Sequence, residues 1–329
     1  MKIAIISIND VSFKAALRLA SFLKNHDVKI YKKDRDFIKL DDILKDIWEK
    51  SEALIFIMAI GAVVRKVASL LKNKSEDPAV LVMTLDLLKV VPLLGGHLGG
   101  ANELSVEICK KIKGCIPFIT TATDQMDVLS FDMFAKERGF LIENLFRLSK
   151  VSNALLNGKE IEVATYENIF KSIEKKNNLK LIPFERLDEN SVLISPFSNP
   201  LKPLTLKPPL FIGIGCNRGV CREKIKRAFL IFLEKYSLKR EQIKALASFE
   251  AKKSEKGLLE FAEEFKLEIK FFDKESINSL ESDFSRSFAK KYFDIKGVAE
   301  PSAVLASRYR ELVIKKESFF KEITIAGAV

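Results

Sequence analysis

The chain has 329 residues, of which 47% are hydrophobic and 30% are charged. This length and composition predict two or three globular domains and exclude a disordered chain. The longest apolar run, residues 53–64, is too short to span a bilayer, and the N-terminus lacks the long apolar region of a signal peptide. The sequence therefore predicts a cytoplasmic protein with no membrane partner.

The chain is strongly basic, with a net charge of +11 and a pI of about 9.3. Three interpretations fit this charge: general lysine enrichment, a nucleic-acid partner, or a polyanionic small substrate attracted by a positive field. The sequence has no aromatic-plus-basic motif of the RNA-recognition type and no compact basic arm. We therefore predict no nucleic-acid partner.

In residues 1–124, apolar strands alternate with segments whose apolar residues recur at helical spacing. The predicted strands are residues 2–8, 27–31, 53–58, 79–84 and 117–121. This alternation predicts a mostly parallel, doubly wound sheet, in which ligands bind outside the carboxyl ends of the strands.

The pattern of predicted strands and helices differs in the rest of the chain. Residues 125–205 begin helix-rich, and five of the ten prolines lie between residues 196 and 209, which is typical of a linker. Residues 206–329 open with a strand at 211–215 and continue as a second α/β unit. We therefore predict an α/β protein: two doubly wound α/β units joined by a small helix-rich, variable middle region and a proline-rich linker.

The most informative segment is glycine-rich and holds one of the two histidines, His97. Asn102 and Glu103 follow in what reads as the first turn of a helix. One interpretation is a strand-to-helix turn with a buried structural histidine. The other is a hydrolytic site, in which His97 or Glu103 activates water and glycine N–H groups hold the oxyanion. The glycines of this segment are Gly95, Gly96, Gly99 and Gly100.

Two further candidates follow predicted strands. Gly61 and Arg65 come after the third strand, where an arginine either binds an anion or only solvates a helix face. Thr121 and Asp124 end the fifth strand. Their side chains would bind polar groups of a ligand or cap the next helix.

The second α/β unit contributes two more candidates. Residues 213–219, GIGCNRG, depart from the dinucleotide-binding spacing, and an anion-binding loop with Arg218 and Arg222 fits better. Glu300 and Ser302 lie at the start of a helix and face either a site or only the cap. None of the four cysteines forms a CxxC pair, so we predict no metal site, and the pairing of Cys216 with Cys221 stays open.

Five segments, in this order along the chain, resemble motifs of the CbiG family of cobalamin biosynthesis. They are residues 61–80, 93–104, 117–124, 213–219 and 297–307, and residues 256–265 add to the match. The middle region matches weakly. The C-terminal unit also looks like a stand-alone protein of the aerobic cobalamin pathway. The predicted domains are 1–124, 125–205 and 206–329.

The resemblance implies hydrolysis of the δ-lactone of cobalt-precorrin-5A, with release of acetaldehyde and formation of cobalt-precorrin-5B. The substrate would be a polyanionic cobalt-tetrapyrrole that brings its own cobalt, so no resident cofactor is implied. The alternative is a non-catalytic corrinoid-binding or carrier protein. We also expect a homodimer and transient contacts with neighbouring pathway enzymes as possible partners.

On this basis we predict His97 as the general base and Glu103 as its partner, with an axial cobalt ligand as the second possible role of His97. Arg218 and Glu300 would hold the substrate. The full set of predicted substrate-binding residues is Gly61, Arg65, Gly95, Gly96, Gly99, Gly100, Asn102, Thr121, Asp124, Gly215, Asn217, Arg218, Gly219, Glu300 and Ser302.

Overall fold

The computed structural model describes residues 1–33, 40–73, 76–120, 128–282, 284–285 and 292–329. The chain forms two compact units, Met1–Gln125 and Met126–Val329. The first unit holds one six-stranded sheet and the second holds two five-stranded sheets. The α/β class predicted from the sequence is confirmed.

The first unit is an open sheet covered by helices on both faces. Apolar residues of α1 and α4 pack on one face of the sheet, and those of α2 and α3 pack on the other. The strand order is β2-β1-β3-β4-β5-β6. The elements are β1 (Lys2–Ser7), α1 (Asp10–Phe22), β2 (Asp27–Lys32), α2 (Leu40–Trp48), β3 (Ala53–Phe56), α3 (Ile60–Val67), β4 (Ala79–Met83), β5 (Lys89–Leu94), α4 (Ala101–Lys111) and β6 (Ile116–Pro117).

One strand of this sheet, β5, was missed by the sequence prediction. Strands β1 to β4 are parallel, but β5 turns back and pairs antiparallel with β4, and Val80 lies opposite Leu94. Pro92 hides this strand in the sequence because proline lacks the N–H of a strand ladder. The structure accommodates Pro92 because β6 pairs with β5 only at Lys89 and Val90.

The sequence predicts a helix-rich middle region, but the structure shows that this region also contains a mixed sheet. Its strand order is β7-β11-β10-β8-β9. The predicted proline-rich linker is also wrong at its centre, because all four residues of β11 are buried in this sheet. The elements are α5 (Phe131–Arg138), β7 (Leu141–Glu143), α6 (Leu148–Leu156), β8 (Ile161–Thr165), α7 (Glu167–Lys171), β9 (Leu179–Ile182), β10 (Val192–Ile194) and β11 (Leu204–Lys207).

The C-terminal region is the predicted second α/β fold, with strand order β14-β13-β12-β16-β15. Strands β12, β13 and β14 are parallel, and β15 and β16 form an antiparallel pair next to β12. The elements are β12 (Leu210–Cys216), α8 (Arg222–Lys235), β13 (Ile243–Phe249), α9 (Lys256–Glu264), β14 (Ile269–Phe272), α10 (Lys274–Ser279), α11 (Ala299–Ala306), β15 (Leu312–Phe319) and β16 (Ile323–Ala328).

The middle and C-terminal sheets share one hydrophobic cluster, to which both Val163 and Ile212 belong. Polar contacts reinforce this packing. The Gln242 amide donates to the carbonyl of Pro196 (2.8 Å), and the Asn168 amide donates to the carbonyl of Tyr309 (3.0 Å). The second unit is therefore built around a core to which both sheets contribute.

Helix α11 lies directly on β12. A Cβ atom on Gly213 would sit 1.8 Å from the carbonyl oxygen of Ala299. Glycine at this position is what allows the helix to approach the strand so closely.

We expect Gly213→Ala to destabilise the second unit by about 3 kcal/mol or more, because the helix backbone must move to admit the methyl group. Differential scanning calorimetry of the whole protein would measure the change. Gly327→Ala in the same sheet is the matched control, since the three atoms nearest to its Cβ all belong to the Ile314 side chain, at 3.2–3.4 Å, and none is backbone. Equal shifts for the two variants would contradict this packing.

Candidate functional site

The glycine-rich segment forms a tight loop between β5 and α4. Gly95 and Gly100 adopt left-handed backbone angles, with φ of +65° and +84°. A Cβ on Gly99 would lie 2.8 Å from the carbonyl oxygen of Gly95. The loop therefore folds back on itself, and its backbone conformation alone requires these glycines, whether or not a ligand binds.

The loop already uses part of its hydrogen-bonding capacity. The N–H groups of Gly100, Ala101 and Asn102 donate to the carbonyls of His97, Gly95 and Gly96, each at 3.0 Å. These three donors are consequently committed to the fold. Within the described part of the chain, the N–H groups of Gly96, Leu98 and Gly99 make no such bond to a backbone carbonyl.

The two predicted catalytic side chains differ in exposure. His97 is 7% exposed and lies inside the loop, whereas Glu103 is exposed on the first turn of α4. The Asn102 side chain lies beside Gly96, since a Cβ there would be 3.1 Å from Asn102 Oδ1. The loop thus brings His97, Asn102 and the glycines together, with Glu103 at the start of the same helix.

Gly61 and Arg65 lie at the other edge of the same sheet. They follow the carboxyl end of β3, whereas the glycine-rich loop follows β5, which runs the opposite way, and packs on the residue where β4 begins, Ala79. The Arg65 guanidinium donates to the carbonyl of Gly61 (3.0 Å). The structure therefore separates these two groups of predicted substrate-binding residues.

A cavity of about 590 Å³ opens at that same edge, and we call it the carboxyl-edge cavity. It is lined by residues that follow β1, β3 and β4, by the first residues of β5, and by Phe118 after β6. No local sequence pattern marks this cavity, because its walls come from five separate segments. The expectation that ligands bind beyond strand ends was the only signal that pointed to it.

In the C-terminal region, the loop after β12 presents Asn217, Arg218 and Gly219, which are all exposed. The N–H of Gly219 donates to the Glu255 carboxylate (3.0 Å). Burial raises the pKa of Glu255, but the Gly219 N–H and the Lys252 ammonium lower it by more, so this pKa lies below its usual value. A carboxylate of the protein thus already occupies part of the predicted anion loop.

Two other predicted groups at this end serve the fold. Arg222 pairs with Glu223 and lies 3.5 Å from Glu264. Gly215 admits the close approach of Val298 and Thr324, since its Cβ would lie 2.6 Å from Thr324 Oγ1. Both Arg222 and Gly215 are therefore already used by the fold.

Glu300 is buried, and its carboxylate anchors neighbouring parts of the chain. It accepts the N–H and the hydroxyl of Ser285 (2.6 and 2.8 Å) and the N–H of Lys316 (2.8 Å). Ser302 is also fully buried, and its hydroxyl has no hydrogen-bond partner in the described part of the chain. A role of these two residues in holding substrate stays a prediction.

The remaining predictions concern residues 121–127, metals and thiols. Thr121 and Asp124 lie outside the described residues. Among the residues that are described, no cluster of three or more histidine, cysteine or acidic side chains is placed to bind a metal, and no helix has the length and apolarity to cross a membrane. Cys216 and Cys221 are free thiols, and burial raises the pKa of Cys216 to about 11.

We expect Glu300→Ala to lower the stability of the second unit by about 1–3 kcal/mol, because three partly buried donors lose their acceptor. Thermal unfolding followed by circular dichroism would measure the loss. Glu275→Ala removes an exposed carboxylate from nearby α10 and is the matched control. A Glu300→Ala protein as stable as this control would show that the anchor is unimportant.

Comparison with known proteins places these features in a family. Family models described as cobalamin synthesis G N-terminal, cobalamin biosynthesis central region and cobalamin synthesis G C-terminus match residues 42–124, 129–208 and 210–328. A cobalt-precorrin-5A hydrolase from Priestia megaterium is 31% identical over 313 residues, covering 86% of this chain and 80% of that protein. A protein of the same name from Salmonella typhimurium is 31% identical over 268 residues, covering 78% and 76%.

A solved structure also spans the whole chain. The crystal structure of a cobalamin biosynthesis protein G homolog from Sulfolobus solfataricus covers 99% of this chain and 96% of that one, at 27% identity and a TM-score of 0.42. The three family regions and the extent of the sequence match lead to one conclusion: this chain belongs to the CbiG family of cobalamin biosynthesis.

Proposed function

We propose that the protein is a cobalt-precorrin-5A hydrolase. The observation that carries the proposal is the 31% identity, over 86% of this chain, with the Priestia megaterium protein of that name. The reaction would add water to the δ-lactone of the cobalt-tetrapyrrole, open the ring, and release a two-carbon fragment as acetaldehyde. Cobalt would enter with the substrate, so we propose no resident cofactor.

This reaction needs two kinds of help from the protein. Attack of water on the lactone carbonyl creates a tetrahedral oxyanion, which donors in fixed positions stabilise. The later carbon–carbon cleavage needs a base that removes a hydroxyl proton, while the electrons of the broken bond pass into the macrocycle. The protein must therefore hold both the donors and the base in place beforehand, so that neither has to reorganise during the reaction.

The glycine-rich loop supplies groups of both kinds. We assign His97 as the base, because neutral imidazole titrates near working pH and the loop holds this side chain in a fixed, buried position. The N–H groups of Gly96, Leu98 and Gly99 would hold the oxyanion, since those of Gly100 to Asn102 are engaged in the fold. Glu103 would act as the partner of His97 or as the second acid–base group.

Charge supports the proposed substrate. The acetate and propionate arms of a tetrapyrrole make it a polyanion, and the chain carries a net charge of +11. Arg65 and Arg218 are exposed cations that contribute to this positive field. A homodimer and transient contacts with neighbouring pathway enzymes stay predictions.

We expect the purified protein, incubated anaerobically with cobalt-precorrin-5A, to release acetaldehyde and to change the mass of the tetrapyrrole accordingly. His97→Ala should lower kcat by about 10²–10⁴-fold, the usual contribution of a general base, and leave the protein folded, which circular dichroism would verify. The matched control is His26→Ala, which removes the other histidine, whose Nε2 lies within hydrogen-bonding distance (3.1 Å) of the Glu107 carboxylate. That variant should keep its turnover.

Three outcomes would change the proposal. Full activity of His97→Ala would remove this residue from the mechanism. Binding of the substrate without any acetaldehyde would favour the corrinoid carrier. If the cobalt-tetrapyrrole has a different absorption spectrum when it is bound to His97→Ala than when it is bound to the wild type, His97 would instead be an axial ligand of the substrate's cobalt.

A further inference from the structure

The carboxyl-edge cavity lies where open α/β sheets bind ligands. Strand β1 has β2 on one side and β3 on the other, so the direction of the chain connections reverses between β1 and β3. Ile8 and Asn9 follow β1, Met58 and Ala59 follow β3, and all four line the cavity. This switch point is the expected ligand crevice of such a sheet, and the volume of about 590 Å³ suits a small molecule.

The walls of the cavity are apolar and open to solvent. Four large apolar side chains that line it are 39–54% exposed. They are Ile8, Ile60, Leu85 and Phe118. A cluster of exposed apolar side chains around one cavity marks a surface that is covered by a partner or ligand.

Polar groups in the wall are mostly satisfied by the protein itself. Asn9 Oδ1 accepts the N–H of Ser12 (2.8 Å), and the Ser12 hydroxyl accepts from Ile8 and donates to the carbonyl of Asn9 (both 3.0 Å). Thr84 donates its hydroxyl to Asp86. A ligand in this cavity must therefore present an apolar surface to these walls.

The rim is different, because it carries positive charge. Lys89 lines the cavity, as does Ile60, the first residue of α3. Helix α3 has no side-chain cap, so its first N–H groups add a positive end to the same rim. The acidic side chain beside Lys89, Asp86, is tied to Thr84 and to the N–H of Leu88. An apolar ligand with peripheral carboxylates matches both the walls and the rim.

We propose that the carboxyl-edge cavity binds the ring of a carboxylated tetrapyrrole, with the ring against Ile60, Leu85 and Phe118 and its carboxylate arms toward Lys89 and the start of α3. The identity of the ligand rests on the proposed function. Three residue steps along β4, from Ala79 to Val82, separate the glycine-rich loop from the cavity, or about 10 Å at 3.3 Å per residue. The cavity is therefore a binding site separate from His97.

The test is the binding of dicyanocobyrinic acid, a stable cobalt corrin with free carboxylate arms, to the full-length protein by equilibrium dialysis. Ile60→Glu places a carboxylate in the cavity at the first position of α3, where negative charge favours the helix. Ile60 is 43% exposed, so the variant should fold normally, which thermal unfolding would verify. We expect the Kd of this variant to rise at least about tenfold. The bound ligand would bury the new carboxylate next to its own carboxylate arms, and such a contact between like charges costs more than about 1.4 kcal/mol.

Two further variants make this result specific. Leu17→Glu is the matched control, since Leu17 is 51% exposed on α1 and does not line the cavity. It should leave the Kd within about twofold, and raising the salt concentration should weaken binding to the wild type. His97→Ala should also keep the wild-type Kd, because His97 lies at the other edge of the sheet.

The outcomes separate this inference from the proposed function. Equal affinities of Ile60→Glu and Leu17→Glu would overturn the cavity site, as would loss of binding in His97→Ala alone. A wild-type protein that releases acetaldehyde but does not bind the corrin would overturn the cavity site and leave the hydrolase intact. Binding that depends on Ile60, without acetaldehyde release, would support the cavity site and refute the hydrolase.

Discussion

The antiparallel pairing of β5 with β4 decides where the glycine-rich loop lies relative to Arg65 and the carboxyl-edge cavity. Because this one strand turns back, the loop that follows it packs against Ala79, at the start of β4. The junctions after β1 and β3 stay at the other edge, with the carboxyl-edge cavity between them. A fully parallel sheet would have placed His97 and Arg65 at one edge. The reversal gives the unit two chemically different edges: a compact glycine loop at one and an apolar cavity with a basic rim at the other.

Much of the fold followed from the sequence because its strongest signals are local. Strands such as β1 and β12 are continuous apolar runs, and the helices after them show regular apolar spacing. The signal failed where strands are short or contain proline. Strand β7 has three residues, and β11 lies among the prolines that were interpreted as a linker. In these cases pairing with distant strands fixes the conformation, and a local pattern does not contain that information.

The candidate sites follow the same rule. The glycine-rich loop was found because its glycines, histidine and carboxylate are contiguous. The role of Glu300 was not, because its partners Ser285 and Lys316 lie about fifteen residues away on either side and meet it only in the folded chain. A buried carboxylate that accepts three hydrogen bonds from the protein has the signature of a structural anchor. The same motif in the sequence is compatible with a ligand contact, and only burial separates the two.

The hydrophobic cluster shared by the two sheets of the second unit has a consequence for how the chain unfolds. Residues on both sides of the boundary between the central and C-terminal family regions, such as Val163 and Ile212, pack into the same core. An edge-to-face contact between Phe140 and Tyr309, with ring centroids 6.1 Å apart, adds to that core. Opening either sheet would expose the apolar face of the other. We therefore expect no boundary of cooperativity at the evolutionary boundary near residue 209, and the two regions to unfold together as a single thermodynamic unit.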